Sequence, residues 1–376
     1  MQQPLIMIIG VGDLGSRLLT MLLSTPHTNH VVLAGRDVAK LTRTANLARF
    51  TATNLGLIGD VRVAQLDLND IDATAETIAT LRPDIIFMSA SLQSWRIITK
   101  LPKENFEALD EAQFGPWLPM HLTLNYQLAR AVRASGVAPR VVNAAFPDAV
   151  GPVLAKVGLA PSTGVGNVAN IVPALTYGFA IEAEVDPRDV EIRLVAQHYF
   201  SHYVPRFGTA GDGSYHLRAY AGGKPLDGVP HHAVFAHLGG RLRRLGGDAG
   251  QLLTASSAMR VIQAMATDSG ILAHAPAPQG LPGGYPVRVG REGGVVDLPS
   301  SITLAEAIRV NEECQRADGI EHIASDGTVT FTEREMGLME KLLGYECRTM
   351  RLAETGEWAE ELRRKYQEYA GRFSVF

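Results

Sequence analysis

Along the first part of the chain, short runs that are apolar at nearly every position alternate with longer stretches in which apolar residues recur every three or four. The runs are LIMIIG (5–10), HVVLAG (30–35), VRVAQLDL (61–68), DIIFMSA (84–90) and RVVNAA (140–145). A strand covered on both faces reads this way, because neither set of alternating side chains meets water. The intervening segments, such as SRLLTMLLST (16–25), DVAKLTRTANLARF (37–50) and LTLNYQLARAVRASG (122–136), carry one apolar face and predict helices. Alternating strand and helix implies the α/β class, a doubly wound parallel sheet.

The pattern changes after about residue 180. VEIRLVAQHYFSHYV (190–204) reads as one long strand, followed by a Gly- and His-rich stretch from 206 to 250. A helical run (252–269), a Gly/Pro-rich loop (275–286), a strand pair (287–299), a long amphipathic helix (303–323) and a charged helical tail (336–373) follow. The expected division is therefore 1–150 as a nucleotide-binding domain and 151–376 as an α+β substrate domain ending in helices.

Composition narrows the class. Of 376 residues, 46% are hydrophobic and 20% charged, with a formal net charge of -4, so no basic excess marks a nucleic-acid binder. No apolar run approaches the roughly 18 residues of a membrane helix. The start, MQQPLIMIIG, lacks the basic region of a signal peptide. Two cysteines, Cys314 and Cys347, cannot build a disulfide framework or a thiolate metal site. A cytoplasmic protein is expected, with a small-molecule substrate, no metal, no nucleic-acid or membrane partner, and a homodimeric assembly.

Gly10, Val11, Gly12, Asp13, Leu14 and Gly15 spell G-V-G-D-L-G between the first strand and the first helix. The first glycine permits a tight turn, the second lets a pyrophosphate approach the backbone, and the third lets helix and strand pack closely. This is the dinucleotide fingerprint of a Rossmann sheet. The second strand ends in Ala34-Gly35-Arg36-Asp37 rather than in an acidic residue. A small residue followed by arginine leaves room and charge for a 2′-phosphate, so NADP (NADPH) is the expected cofactor. Asp67 ends the third strand, near the adenine position or capping the next helix. Ser89 and Ser91 end the fourth, beside the same crevice.

With GVGDLG and AGRD, the N-terminal segment resembles the NADP-binding domain of the saccharopine dehydrogenase group. The order of later motifs resembles the lactate/malate dehydrogenase superfamily over most of residues 5–325. Asn143-Ala144-Ala145-Phe146-Pro147-Asp148 stands for its Asn-Pro-x-Asp, Gly164–Pro173 for its Gly-x-Gly-Thr segment and helix, and Ala196-Gln197-His198-Tyr199 for its histidine motif. The resemblance implies that His198 is the proton donor, that Asn143 meets the substrate oxygen or the nicotinamide, and that Arg96 occupies the place of a mobile active-site arginine. Two departures follow from it. Asn170 stands where the superfamily's histidine-orienting Asp falls, and Pro173 where its carboxylate-binding Arg falls, which argues against lactate and malate as substrates.

Histidine suits hydride chemistry because its pKa lies near neutrality. His202 is expected to share a strand face with His198, and Ser256 to face the substrate. Tyr199 and Tyr203 remain alternative proton donors. The expected activity is an NADP-dependent oxidoreductase acting on a carbonyl or secondary alcohol. A reductase of C=N bonds, of opine or saccharopine type, and a non-catalytic NADP-binding sensor are the alternatives.

Overall fold

The computed structural model describes residues 3–26 and 30–373. Its first sheet contains β1 (Leu5–Ile9), β2 (His30–Gly35), β3 (Asp60–Gln65), β4 (Ile85–Met88), β5 (Arg140–Asn143) and β6 (Thr163–Gly164). All are parallel, in the order β3-β2-β1-β4-β5-β6. The five expected strands are present. The sixth is only two residues long and lies inside a Gly-rich segment that carries no strand pattern.

The double coverage is visible residue by residue. Ile6, Ile8, Val31, Leu33 and Phe87 point to one face, against Leu18 and Leu22 of the helix Asp13–Leu23 and Leu41 of the helix Val38–Asn54. Met7, Ile9, Val32, Ala34 and Met88 point to the other, against Ile78 of the helix Ile71–Leu81 and Leu124 and Leu128 of the helix Leu118–Ser135. Strand order reverses between β1 and β4, so a crevice opens at their carboxyl ends. There Gly10 has φ +108. A Cβ on Gly15 would stand 2.1 Å from the Gly10 carbonyl oxygen.

A second sheet is antiparallel: β7 (Val190–Ala196), β8 (Tyr215–Ala221), β9 (Lys224–Pro225), β10 (Ile271–Pro276), β11 (Gly284–Gly290) and β12 (Gly293–Val296). The long strand expected over 190–204 is corrected here. Extended backbone stops at Ala196, and His198–Phe207 is a helix. The Gln197 side chain accepts the Tyr199 N–H at 2.7 Å and caps it. The helix Gln251–Thr267 lies between the two sheets, and its Ala258, Val261 and Ile262 join their cores.

The tail also departs from the expected run of helix. It forms β13 (Ile320–Ile323), β14 (Val329–Phe331) and β15 (Thr349–Met350), with helices Glu333–Leu343 and Thr355–Gly371. Ile320, Met336 and Tyr366 pack on Trp117, Met120 and Val150, which belong to the first half of the chain. Among the described residues no helix is long and apolar enough to cross a membrane.

Gly15→Ala should lower stability by roughly 1–3 kcal/mol, because backbone must shift to admit the methyl group. The check is a fall in the urea midpoint at unchanged slope.

Candidate active site

Gly12 is the N-cap of the helix Asp13–Leu23, and nothing lies within 4 Å of where its Cβ would be. The second glycine is thus open while the first and third are closed in. An open backbone at a helix N-terminus is what a pyrophosphate requires, so these residues fit a dinucleotide. Ser89 Oγ donates to the carbonyls of Ile9 (3.2 Å) and Gly10 (3.3 Å), locking the turn from behind. Ser91 is half-buried just past β4. Leu14 packs on the core, and Asp13 pairs with Arg17 at 2.7 Å.

At the end of β2, Arg36 is exposed and has no ion pair among the described residues. Asp37 is occupied: Oδ1 accepts the Lys40 N–H at 2.9 Å and caps the helix Val38–Asn54. Asp67 is also occupied, accepting the backbone N–H of Asn69 at 3.0 Å and its side-chain amide at 2.8 Å. Asp70, not Asp67, caps the next helix.

In the second half of the chain, His198 opens the helix that follows β7. Its Nδ1 lies 3.0 Å from Asp318 Oδ2 and 3.2 Å from Oδ1. Asp318 follows the helix Leu304–Ala317 and is buried; Gln197 Nε2 donates to its Oδ2 at 3.1 Å. The Asp318 carbonyl accepts the Gly115 N–H at 2.6 Å, and a Cβ on Gly115 would sit 2.5 Å from that oxygen. Burial pushes the His198 pKa down, but the charge and hydrogen bond of Asp318, with a smaller push from Asp148, leave it above the ordinary value. Nε2 makes no hydrogen bond among the described residues, and the side chain keeps 15% exposure.

Aromatic rings exclude water around it. Phe114 stacks at 4.7 Å between ring centroids, Phe146 stands edge-on at 5.5 Å, and His202 stacks at 5.6 Å. Trp95 meets His202 at 5.5 Å. His198 and His202 do share a face, as i and i+4 of a helix rather than as neighbours on a strand. Arg206 Nη1 donates to His202 Nε2 at 3.1 Å, while its Nη2 pairs with Asp110 at 2.6 Å. Burial holds the His202 pKa well below the usual value, with His198 and Arg206 adding to the shift.

Other expected residues are engaged elsewhere. Asn170 Nδ2 donates to Thr254 Oγ1 at 2.9 Å, so Asn170 does not orient His198; Asp318 does. Pro173 is on an exposed face of the helix Val168–Ala183. The Asn143 amide closes a local turn, donating to the Ala145 carbonyl (3.1 Å) and accepting the Ala145 N–H (2.8 Å), and the residue is buried. Ser256 is exposed and bonds the Leu253 carbonyl of its own helix. Arg96, on the short 3₁₀ helix Trp95–Lys100, donates through Nη1 to the Gly247 carbonyl. Among the described residues no group of three or more His, Cys, Asp or Glu could hold a metal ion.

Three groups near His198 are absent from the sequence reading of the site. Asp318 is one. Asp148 is fully buried in the first turn of the helix Pro147–Ala155; Asn167 donates to its Oδ2, and its Oδ1 has no partner. Burial pushes its pKa up to about 6, against the pull of His198 and the Asn167 hydrogen bond. His121 is buried beside Phe114, at 5.0 Å, with neither ring nitrogen bonded. Burial, helped by the charge of His198, pushes its pKa down to about 3.

The His121 shift has a definite sign. The folded pKa lies below the unfolded value, so the stability is full above about pH 6.5 and is lost as acid protonates the unfolded chain first. The loss is about 1.4 kcal/mol per pH unit until the folded pKa is reached. His121→Phe removes this term and breaks no hydrogen bond. Thermal melts from neutrality towards about pH 5 should show the variant gaining steadily on the wild type.

No protein-family model and no curated protein matches the chain. Solved structures do. The lactate dehydrogenase of Cryptosporidium parvum, in complex with lactic acid and nicotinamide adenine dinucleotide, superposes with a TM-score of 0.54 at 18% identity, over 85% of this chain and 99% of its own. The malate dehydrogenase of Aeropyrum pernix gives 0.53 at 18% identity, over 83% and 96%. That of Plasmodium falciparum gives 0.56 at 14% identity, over 84% and 96%. The paired parallel and antiparallel sheets are the fold of the lactate and malate dehydrogenases.

Proposed function

We propose that the chain is an NADP-dependent oxidoreductase that interconverts a carbonyl and a secondary alcohol on a small organic substrate other than lactate or malate. The observation that carries this reading is the His198–Asp318 pair, 3.0 Å apart in an aromatic cage, in a fold whose other half offers an open glycine turn. Gly10, Gly12 and Gly15 would hold the pyrophosphate, Arg36 the 2′-phosphate. Residues 1–150 would carry the dinucleotide and 151–376 the His198–Asp318 pair.

A bound nicotinamide supplies or accepts the hydride. The chain's own residues handle the proton. Asp318 accepts from His198 Nδ1 and so presents Nε2 to the substrate oxygen. In the reducing direction Nε2 gives its proton as the carbon–oxygen π pair moves to oxygen. In the oxidising direction it takes the proton back. Phe114, Phe146 and Trp95 keep water from the reacting carbon.

The substrate restriction has support beyond the position of Pro173. The helix Val168–Ala183 contains no arginine or lysine, so it offers no clamp for a carboxylate. A C=N reductase remains the second reading, because the free oxygen of Asp148 can accept from an amine. The His–Asp pair weighs against a non-catalytic sensor. We further propose that the protein works as a cytoplasmic homodimer; both cysteines are free and buried, as a reducing compartment maintains them.

His198→Ala should lower kcat by roughly 10²–10⁴-fold with dinucleotide affinity unchanged. Asp318→Asn should lower kcat less and move the alkaline limb of the reduction profile to lower pH, because the charge that raises the His198 pKa is gone. Asn170→Ala should leave that profile in place. An unshifted profile in Asp318→Asn would refute the dyad.

NADPH should bind at least ten times more tightly than NADH, since charge-assisted contacts contribute about 1.5–3 kcal/mol. Fluorescence titration of wild type and Arg36→Ala with both cofactors measures this, and the variant should lose the preference.

A further inference from the structure

The two stacked histidines divide the site into sides of opposite character. Beyond His202 lie cations. Arg206 is neutralised by Asp110, but Arg96 and Arg244 form no ion pair with a carboxylate among the described residues. Arg96 follows Trp95, which packs on His202, and it ties down the segment around Gly247. Arg244 is on the same segment; its Nη1 turns back to the Leu245 carbonyl at 3.4 Å. The charges of both reach His202.

On the His198 side the surplus is of buried polar atoms without partners, two of them acceptors, because neutral His121 carries one acceptor and one donor nitrogen. Asp318 is taken up by His198 and Gln197. Asp148 Oδ1 and both nitrogens of His121 are buried and unpartnered. A buried polar group without a partner costs about 1–3 kcal/mol, so three such atoms around one histidine ask for a ligand. The backbone that holds Asp148 is itself strained. Phe146, two residues before it, has φ +46 and ψ +55, and Asn167, its hydrogen-bond partner, has φ +46 and ψ -108. Neither is glycine, and such conformations persist at sites whose geometry is over-determined. The rings of Phe114 and Phe146 pack on His121, and aromatic faces favour a cation over an anion beside it.

We propose that this enzyme's substrate is a zwitterion, a short carbonyl compound bearing both an acidic group and an amino group, with the acid held by Arg96 and Arg244 and the amine by Asp148 and His121. This rests on the oxidoreductase reading above and goes beyond it by naming the substrate class. The reacting carbonyl then lies between the two charged ends, opposite His198 Nε2. Lactate and malate fail on this account because each offers only the anionic half.

The test uses two series. In the first, aminolevulinate, levulinate and aminoacetone, which share a ketone but carry both charges, the acid alone or the amine alone, are assayed with NADPH. Aminolevulinate should exceed each of the others at least tenfold in kcat/KM. Asp148→Asn should remove its advantage over levulinate only, and Arg244→Gln its advantage over aminoacetone only. In the second, a ladder of ω-amino acids is compared with the matching alkanoates and alkylamines by thermal shift of the NADPH-saturated protein. At least one ω-amino acid should stabilise where its single-charge relatives do not. Binding of ω-amino acids without reduction of any ketone would uphold the zwitterion site and overturn the oxidoreductase reading. Reduction of ketones regardless of their charges, or no preference for zwitterions in either series, would overturn the site.

Discussion

The hydrogen bond between His198 and Asp318 joins residues 120 positions apart, and much of the molecule serves to bring them within 3.0 Å. β7 must end at Ala196 so that a helix can start at His198. The helix Leu304–Ala317 must stop where it does, its N-terminus set by a capping box between Thr303 and Glu306. Gly115 must lack a side chain so that its N–H can hold the Asp318 carbonyl. A carboxylate this deeply buried is tolerated because Gln197 and the imidazole occupy its oxygens.

The same enclosure explains the pKa values around it. Burial, with a smaller push from His198, moves the pKa values of His121 and His202 down, while that of His198 moves up because a carboxylate touches it. One helical turn separates His198 from His202, yet their proton affinities diverge. Of the stacked pair, His198 is thus the ring that holds a proton more readily.

The parallel sheet was legible because both of its faces are buried, which makes Ile6–Ile9 and Val31–Ala34 continuous apolar runs. The glycine turn was legible because each glycine has a separate steric reason. The segment 190–204 was misread because Tyr199, Phe200 and Val204 continue an apolar pattern that periodicity assigns equally well to strand or helix. Asp318 was invisible: an Asp-Gly pair after a long helix reads as a helix stop, and nothing local shows that its carboxylate crosses to another element. The assignment of Asn170 came from motif order alone. In the fold, its amide bonds Thr254 on the helix Gln251–Thr267.

The packing of β13–β15 and their two helices on Trp117, Met120 and Val150 bears on how the protein comes into being. During synthesis the glycine turn emerges early and His198 past the midpoint of the sequence, but the carboxylate that pairs with the ring arrives only with residue 318, and the core that pins its flank is completed later still. The glycine turn is thus built from local contacts, whereas the His198–Asp318 pair waits for a residue 120 positions further on. The pair is enclosed only when the segment from Ile320 to Gly371 has packed on Trp117, Met120 and Val150.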